Sequence, residues 1–263
     1  MVIELPVIYS TASAENFARG AIKIITESGI ADNLAFGAET NDLSALSAAA
    51  ELLVNPTESF NETLKSELSK GVSFPVARAT AFSTETGKNP DILGTSNNIL
   101  AVEYIKALKM FSSGIKPVIT KRTGSECNWD KLNGTIASAS AVRKVIYKGK
   151  TNLVAQTVPP ECFDLYEKAV PIFMDQYSDA MAYLLRTMTA DDLREISGIS
   201  EGLENRILKT VGNSYKITDI CAELKTKRYT HTRLMRILCH ILLGITKEQE
   251  QIFSPIEFQP YIR

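Results

Sequence analysis

Short apolar runs alternate with helix-spaced segments through the first half of this chain, and that order leaves few folds open. Val2-Ile-Glu-Leu-Pro6 reads as a buried strand, and Asn33-Leu-Ala-Phe-Gly37 and Lys116-Pro-Val-Ile-Thr120 read as two further strands. Between them lie three sets of apolar residues, each spaced for one helix face. The first is Phe17, Ala21, Ile24 and Ile25, the second Leu43, Leu46, Ala50 and Leu53, and the third Leu100, Tyr104, Ala107, Leu108 and Phe111. Ser13 marks the start of the first set, Pro75 suits a helix first turn, and Asn97 or Asn98 can cap the third. Strands that alternate with helices form a parallel sheet, which predicts the α/β class.

Such sheets bind ligands beyond the carboxyl ends of their strands. Gly37, the Asn97–Asn98 turn and Thr120-Lys-Arg122 fall at such ends. Gly37 lets a ligand approach the backbone, and Arg122 suits a phosphate. Glu39 and Asp42 are candidate carboxylates for a metal counter-ion, although exposed acids after a strand are common. A further segment, Gly134-Thr-Ile-Ala-Ser-Ala-Ser-Ala-Val-Arg143, reads as a loop entering a helix. Ser138 or Ser140 can cap it, and Ser140 and Arg143 share a face. Its free amides and positive end attract an anion, which the hydroxyl and guanidinium could also reach. The plainer reading is an ordinary capped helix with a solvated arginine.

Past Pro159-Pro160 the pattern becomes helical almost throughout. Tyr177, Met181, Leu184 and Leu185 mark one helix, and Asp191 or Asp192 opens another. Gly198 and Gly202 sit in a tight hairpin within Glu195–Ile207, spaced like a helix–hairpin–helix element or a plain αα-hairpin. The segment 225–236 holds Lys225, Lys227, Arg228, Arg233 and Arg236 and no acid. Leu234, Ile237, Leu238, Ile241 and Leu242 form its buried stripe, so Arg233, Arg236 and His240 are expected to face outward. In a chain of net charge −1, this tract is where a nucleic-acid backbone would bind, with Tyr229 stacking on a base. A solvated charged face is the competing reading.

With 263 residues, 44% of them hydrophobic and 22% charged, a soluble globular protein of one or two domains is expected. The near-neutral charge excludes a globally basic nucleic-acid binder. Cys127, Cys162, Cys221 and Cys239 form no C-x-x-C pair, so free thiols in a cytoplasmic protein are expected. A zinc site from Cys239, His240 and His231 lacks ligand spacing. The run Ile237–Ile245 is too short to span a bilayer, and no signal peptide opens the chain.

These segments carry a family resemblance. Met1-Val-Ile-Glu-Leu-Pro-Val-Ile-Tyr-Ser-Thr-Ala-Ser-Ala-Glu15, Phe36-Gly-Ala-Glu39, Asn97-Asn-Ile-Leu-Ala-Val-Glu-Tyr104 and Ala137-Ser-Ala-Ser-Ala-Val-Arg143 resemble the bacterial tRNA(Met) cytidine acetate ligases. So do Glu201-Gly-Leu-Glu-Asn-Arg-Ile207 and Thr226-Lys-Arg-Tyr-Thr-His-Thr-Arg233. The resemblance implies a parallel Rossmann-like nucleotidyltransferase sheet over 1–150, followed by an α-helical, tRNA-binding domain over 151–263. It implies activation of acetate by ATP, with Mg2+, to acetyl-adenylate. The acetyl group then passes to N4 of the wobble cytidine of elongator tRNA(Met). The family's ATP contacts fall on Gly37, Asn97 and Arg122, with Ser138 beside them. The stretch containing Ser140 and Arg143 resembles the superfamily's second signature and is assigned the catalytic role.

The family pattern also opens with a strand, a His-x-Gly-His signature and a Gln-Arg-Gly loop that do not occur in this sequence, and it has serine where Ala38 stands. About two βα units of sheet are therefore expected to be absent, making the sheet N-terminally truncated. That arrangement is expected to impair adenylation unless a partner, such as a second copy in a homo-oligomer, completes the site. Two function classes follow: an acetate–tRNA ligase, and a tRNA-binding protein without catalysis. Two arginines, a hydroxyl and amides would stabilise phosphoryl charge without a covalent enzyme nucleophile.

Overall fold

The computed structural model describes residues 2–122, 137–200, 202–210, 216–226 and 229–252. Helices α1 (Val7–Ser10) and α2 (Ala14–Ser28) lead to strand β1 (Asn33–Ala38). Four helices follow: α3 (Leu43–Val54), α4 (Glu58–Ser69), α5 (Phe74–Thr86) and α6 (Ser96–Met110). Strand β2 (Lys116–Lys121) then runs parallel to β1, pairing Asn33 with Lys116 through Ala38 with Lys121. The remaining elements are α7 (Ala139–Tyr147), α8 (Pro160–Lys168), α9 (Ser178–Thr187), α10 (Ala190–Glu195), α11 (Leu203–Thr210), α12 (Ile217–Leu224), α13 (His231–Leu243) and α14 (Lys247–Ile252). The class is α/β, with a small parallel sheet and a following helical region.

The strand pair is covered on one face only. Leu34, Phe36 and Ala38 alternate inward with Pro117 and Ile119, while Asn33, Ala35, Gly37, Lys116, Val118 and Thr120 lie on the exposed face. Phe36 meets the Tyr104 ring of α6 at 5.5 Å between centroids. Behind the strands, Leu46, Ala49 and Ala50 of α3 pack with Phe82 of α5 and Ala101, Val102 and Ile105 of α6. A half-buried ion cluster ties α2, α5 and α6 together. Lys106 Nζ stands 2.6 Å from Glu15 Oε1 and 3.2 Å from Glu103 Oε2, and Arg78 Nη1 lies 3.8 Å from Glu103. Burial opposes ionisation of Glu15, but the Lys106 hydrogen bond and the surrounding cations outweigh it and hold its carboxyl below the ordinary value.

Several elements differ from the sequence reading. Val2–Leu5 form no strand; Val2 is almost fully exposed, and Pro6 starts α1 instead. Helix α4, with Phe60 its one buried residue, has no counterpart among the expected elements. In α2 the buried positions are Ala18, Arg19, Gly20 and Ile22, whereas Phe17, Ala21, Ile24 and Ile25 are half-buried, because α2 packs against α1 as well as α6. Neither Asn97 nor Asn98 caps α6; Thr95 occupies that position.

The helical region has its own core, built from Met181, Leu185, Leu193, Leu203, Ile207, Ile220, Leu234, Ile237 and Leu238 among others. His240 was expected outside with the arginines. It is buried, with Nδ1 3.2 Å from the Ser197 carbonyl and Nε2 3.1 Å from the Thr11 carbonyl. Asn16 Nδ2 donates to Glu250 Oε1 at 3.1 Å, and Glu250 also accepts from the Ser197 hydroxyl. Helix α13 thus faces the start of the chain, which period alone could not reveal.

The hairpin between α10 and α11 turns on Gly198, whose φ is +85°. A Cβ there would stand 3.0 Å from Ile237 Cγ1 of α13. Gly198→Ala is therefore expected to cost about 1–3 kcal/mol in backbone strain and displaced packing. Urea unfolding should show a lower midpoint with an unchanged slope.

Candidate active site

The carboxyl ends of β1 and β2 meet the amino end of α6, and the contact is made by Glu39. Its carboxylate accepts from the Asn98 amide at 2.8 Å, Asn97 Nδ2 at 2.6 Å, the Asn97 amide at 3.3 Å and the Thr95 hydroxyl at 3.0 Å. A carboxylate at a helix amino end satisfies amides that the helix leaves open and complements the helix dipole. Asn98 returns the contact: its buried Oδ1 accepts from the amides of Glu39 and Thr40 at 2.9 and 3.1 Å, and Nδ2 donates to the Asp91 carbonyl. Burial pushes the Glu39 pKa up, but the hydrogen bonds from Asn97, Thr95 and Asn98 prevail and leave it below the ordinary carboxylate value.

A cavity of about 520 Å³ opens beyond these strand ends, walled by Glu39, Asp42, Lys88, Asn89, Asp91, Thr95 and Lys121 among others. Lys88 was not singled out in the sequence. The Asn89-Pro90 turn beside it, in which Asn89 Oδ1 accepts from the Asp91 amide, is the signal that could have found it. Gly37 and Arg122 come together on the exposed face of the strand pair, and neither they nor Asn97 are among the residues that wall this cavity. Arg122 continues the strand ladder by donating its amide to the Ala38 carbonyl at 2.9 Å. Its side chain then crosses Gly37, where a Cβ would meet Arg122 Cγ at 3.2 Å. Both residues are exposed. Asn97 is half-buried and spends Nδ2 on Glu39.

Neither candidate metal carboxylate is available. Glu39 holds α6, and Asp42 caps α3 through the Ala45 amide at 2.8 Å. Among the described residues no group of three or more His, Cys, Asp or Glu side chains could hold a metal ion. Cys239, His240 and His231 form no zinc site either, and burial pushes the Cys221 and Cys239 thiols up.

Ser138 caps α7, accepting from the Ala141 amide at 3.2 Å. Ser140 is half-buried and Arg143 exposed on the same helix. No hydrogen bond or ion pair among the described residues links this group to Gly37 and Arg122. Gly134 at the head of the motif lies outside the described residues.

In the basic tract, Lys225 is exposed, while Lys227 and Arg228 lie outside the described residues. Tyr229 is only 4% exposed, and its hydroxyl donates to the Ser200 carbonyl at 2.8 Å. A ring so packed cannot stack on a base. It carries the Arg233 guanidinium 4.7 Å from its centroid, with Arg206 at 5.9 Å. Arg236 is half-buried beside Arg233, and burial together with that neighbouring charge lowers its pKa.

The family model described as HIGH Nucleotidyl Transferase matches residues 1–263. The chain belongs to this family. It is 37% identical to the tRNA(Met) cytidine acetate ligase of Acetivibrio thermocellus, over all of this chain and 66% of that protein. It is 38% identical to the namesake in Caldanaerobacter subterraneus subsp. tengcongensis, with the same coverage. The chain thus spans about two-thirds of the length of these relatives. Thermotoga maritima TmcAL bound with alpha-thio ATP superposes with a TM-score of 0.84 at 28% identity, over 97% of this chain and 62% of that one. The apo form of the same protein gives 0.85 at 29% identity, over 95% of this chain and 62% of that one. The HIGH nucleotidyl transferase relationship fits a polar cavity at the carboxyl ends of parallel strands. No helix among the described residues is long and apolar enough to cross a membrane.

Because the folded-state pKa of Glu39 is lowered, its contribution to stability is present above about pH 4.5 and is lost as the pH falls through the folded value. Glu39→Gln should cost about 1.5–3 kcal/mol at neutral pH, the range for charge-assisted bonds. Urea unfolding across the acid range should show the gap between wild type and variant closing as Glu39 protonates.

Proposed function

We propose that this chain belongs to a tRNA(Met) cytidine acetate ligase, with residues 1–150 handling the nucleotide and 151–263 the tRNA. In this reading an acetate oxygen attacks the α-phosphorus of ATP, pyrophosphate leaves, and acetyl-adenylate forms. The N4 amine of the wobble cytidine of elongator tRNA(Met) then attacks the acyl carbon. AMP leaves, and the amine proton passes to solvent. The observation that carries the reading is the Arg122 side chain laid across Gly37 at the carboxyl ends of two parallel strands, in a chain of this family.

Arg122 is assigned to the phosphates, where its guanidinium offsets negative charge, and Gly37 gives the nucleotide access to the backbone. Asn97, with Nδ2 committed to Glu39, offers Oδ1 as an acceptor. At α7, Ser138 takes one first-turn amide and leaves others for an anion. Ser140 and Arg143 are assigned to the charge that develops on the phosphoryl oxygens. Arg233 and Arg236 stand side by side, and among the described residues neither has a carboxylate partner. Two such cations repel one another until an anion arrives, which favours an RNA backbone there, with Lys225, Lys227 and Arg228 contributing.

Titration calorimetry with ATP should show saturable binding, weakened about 10- to 100-fold in Arg122→Ala. Acetate-dependent exchange of pyrophosphate into ATP should accompany it. RNA binding without ATP binding or exchange would leave the non-catalytic tRNA-binding reading. Replacing Arg233 and Arg236 by alanine should reduce the salt slope of tRNA binding by about 2; an unaltered slope would make that tract a solvated face.

A further inference from the structure

Residues 137–160 contain Arg143, Lys144, Lys148 and Lys150 and no acid. In a chain of net charge −1 this is a second cationic tract, separate from residues 225–236. Its geometry is ordered. On α7, positions 143, 144, 147 and 148 fall on one side of the helix, and all four are exposed. The opposite side turns inward through Ala141 and Val142, which are buried, and Val145 and Ile146, which are half-buried. Past Tyr147 the helix closes on Gly149, whose φ is +70°, and the Lys150 amide donates back to the Val145 carbonyl at 3.1 Å. That wrap is a helix-ending motif of the Schellman kind, and it leaves Lys150 exposed next to Lys148. A helix dipole favours cations at the helix's carboxyl end, which accounts for Lys144 in the last turn and Lys148 at the cap but not for Arg143 and Lys150.

The face is fixed relative to the first tract. The Tyr147 ring meets Phe173 edge-on at 4.8 Å, and its hydroxyl lies 3.5 Å from Asp175 Oδ2. Asp175 also accepts from the Thr218 amide at 2.9 Å and the Thr218 hydroxyl at 2.8 Å. Thr218 stands in the first turn of α12, and Lys225 directly follows its last. Eight residues of helix span about 12 Å, so the two cationic tracts flank α12 at its opposite ends.

We propose that Lys144, Lys148 and Lys150 form a second RNA-backbone contact, which holds tRNA phosphates at one end of α7 while Ser140 and Arg143 face the nucleotide near the other. The identity of the RNA rests on the function proposed above; the surface itself does not. A polyanionic chain fits because the cations are spread along an exposed line and the apolar side of α7 is already buried. A membrane-seated amphipathic helix would need that apolar side free.

The test measures binding of unmodified elongator tRNA(Met) by the full chain at several salt concentrations, in wild type and in Lys148→Ala/Lys150→Ala. Both side chains are exposed, and the melting temperature serves as the folding control. The expected result is an affinity about tenfold lower near 0.1 M salt and a salt slope smaller by about 2. Lys148→Arg/Lys150→Arg should restore both. Unchanged affinity and slope in the alanine pair overturn the proposal, and if Arg233→Ala/Arg236→Ala still lowers the slope, the tRNA reading itself stands. Wild type that binds no tRNA overturns both. Loss of binding to phosphatidylserine vesicles with tRNA binding intact would assign the face to a lipid surface and likewise overturn the proposal.

Discussion

One carboxylate holds the junction on which the candidate site is built. Glu39 directly follows β1 and takes two amides, a carboxamide and a hydroxyl from the start of α6. Asn98 closes the same junction from the other side by accepting the amides of residues 39 and 40. Charge-assisted bonds of this kind are strong because a helix amino end otherwise leaves its donors open. The clasp fixes where β1 stops, where the cavity begins and which atoms of Asn97 are left for a ligand. Arg122 depends on it as well, since the ladder that places it beside Gly37 ends on Ala38, one residue before Glu39.

The helical region sets two cations, Arg233 and Arg236, side by side, with no carboxylate partner among the described residues. Tyr229 sits in the core with its hydroxyl satisfied, so its ring face is a rigid support for Arg233. Arg236 next to it is half-buried with a like charge as neighbour. Like charges held this close cost stability in the free protein, and an anion bound between them would relieve that cost. The family relationship gives this arrangement a setting, since relatives named for a tRNA substrate share the fold over the whole chain.

Much of this was legible in the sequence, and the misses share a cause. Strands β1 and β2 announced themselves as short apolar runs between helix-spaced segments, and α3, α5 and α13 through spacing and a proline. Ser138 was identifiable as a cap because capping is a local interaction. Asn97 and Asn98 looked like caps for the same local reason, but a carboxylate 58 residues away in sequence does that work. His240 looked like an outward cation, yet Thr11 is 229 residues away and supplies the carbonyl that buries it. Tyr229 looked like a stacking residue because its hydroxyl partner, Ser200, lies in another hairpin. The basic side of α7 was in plain view as composition, but only the burial of Ala141 and Val142 shows which side is free.

By itself the sequence determined the class of the fold, the positions of β1 and β2, the residues at the strand ends and the family resemblance. Period, turn chemistry and motif order are properties of neighbouring residues, and neighbours are what a sequence records. Only the tertiary structure decided which donors Glu39 satisfies, that Arg122 lies over Gly37, that His240 faces inward and that α12 separates two cationic tracts. Each of those facts is a contact between residues far apart in the chain, fixed by burial and by the need to pair every polar group taken out of water.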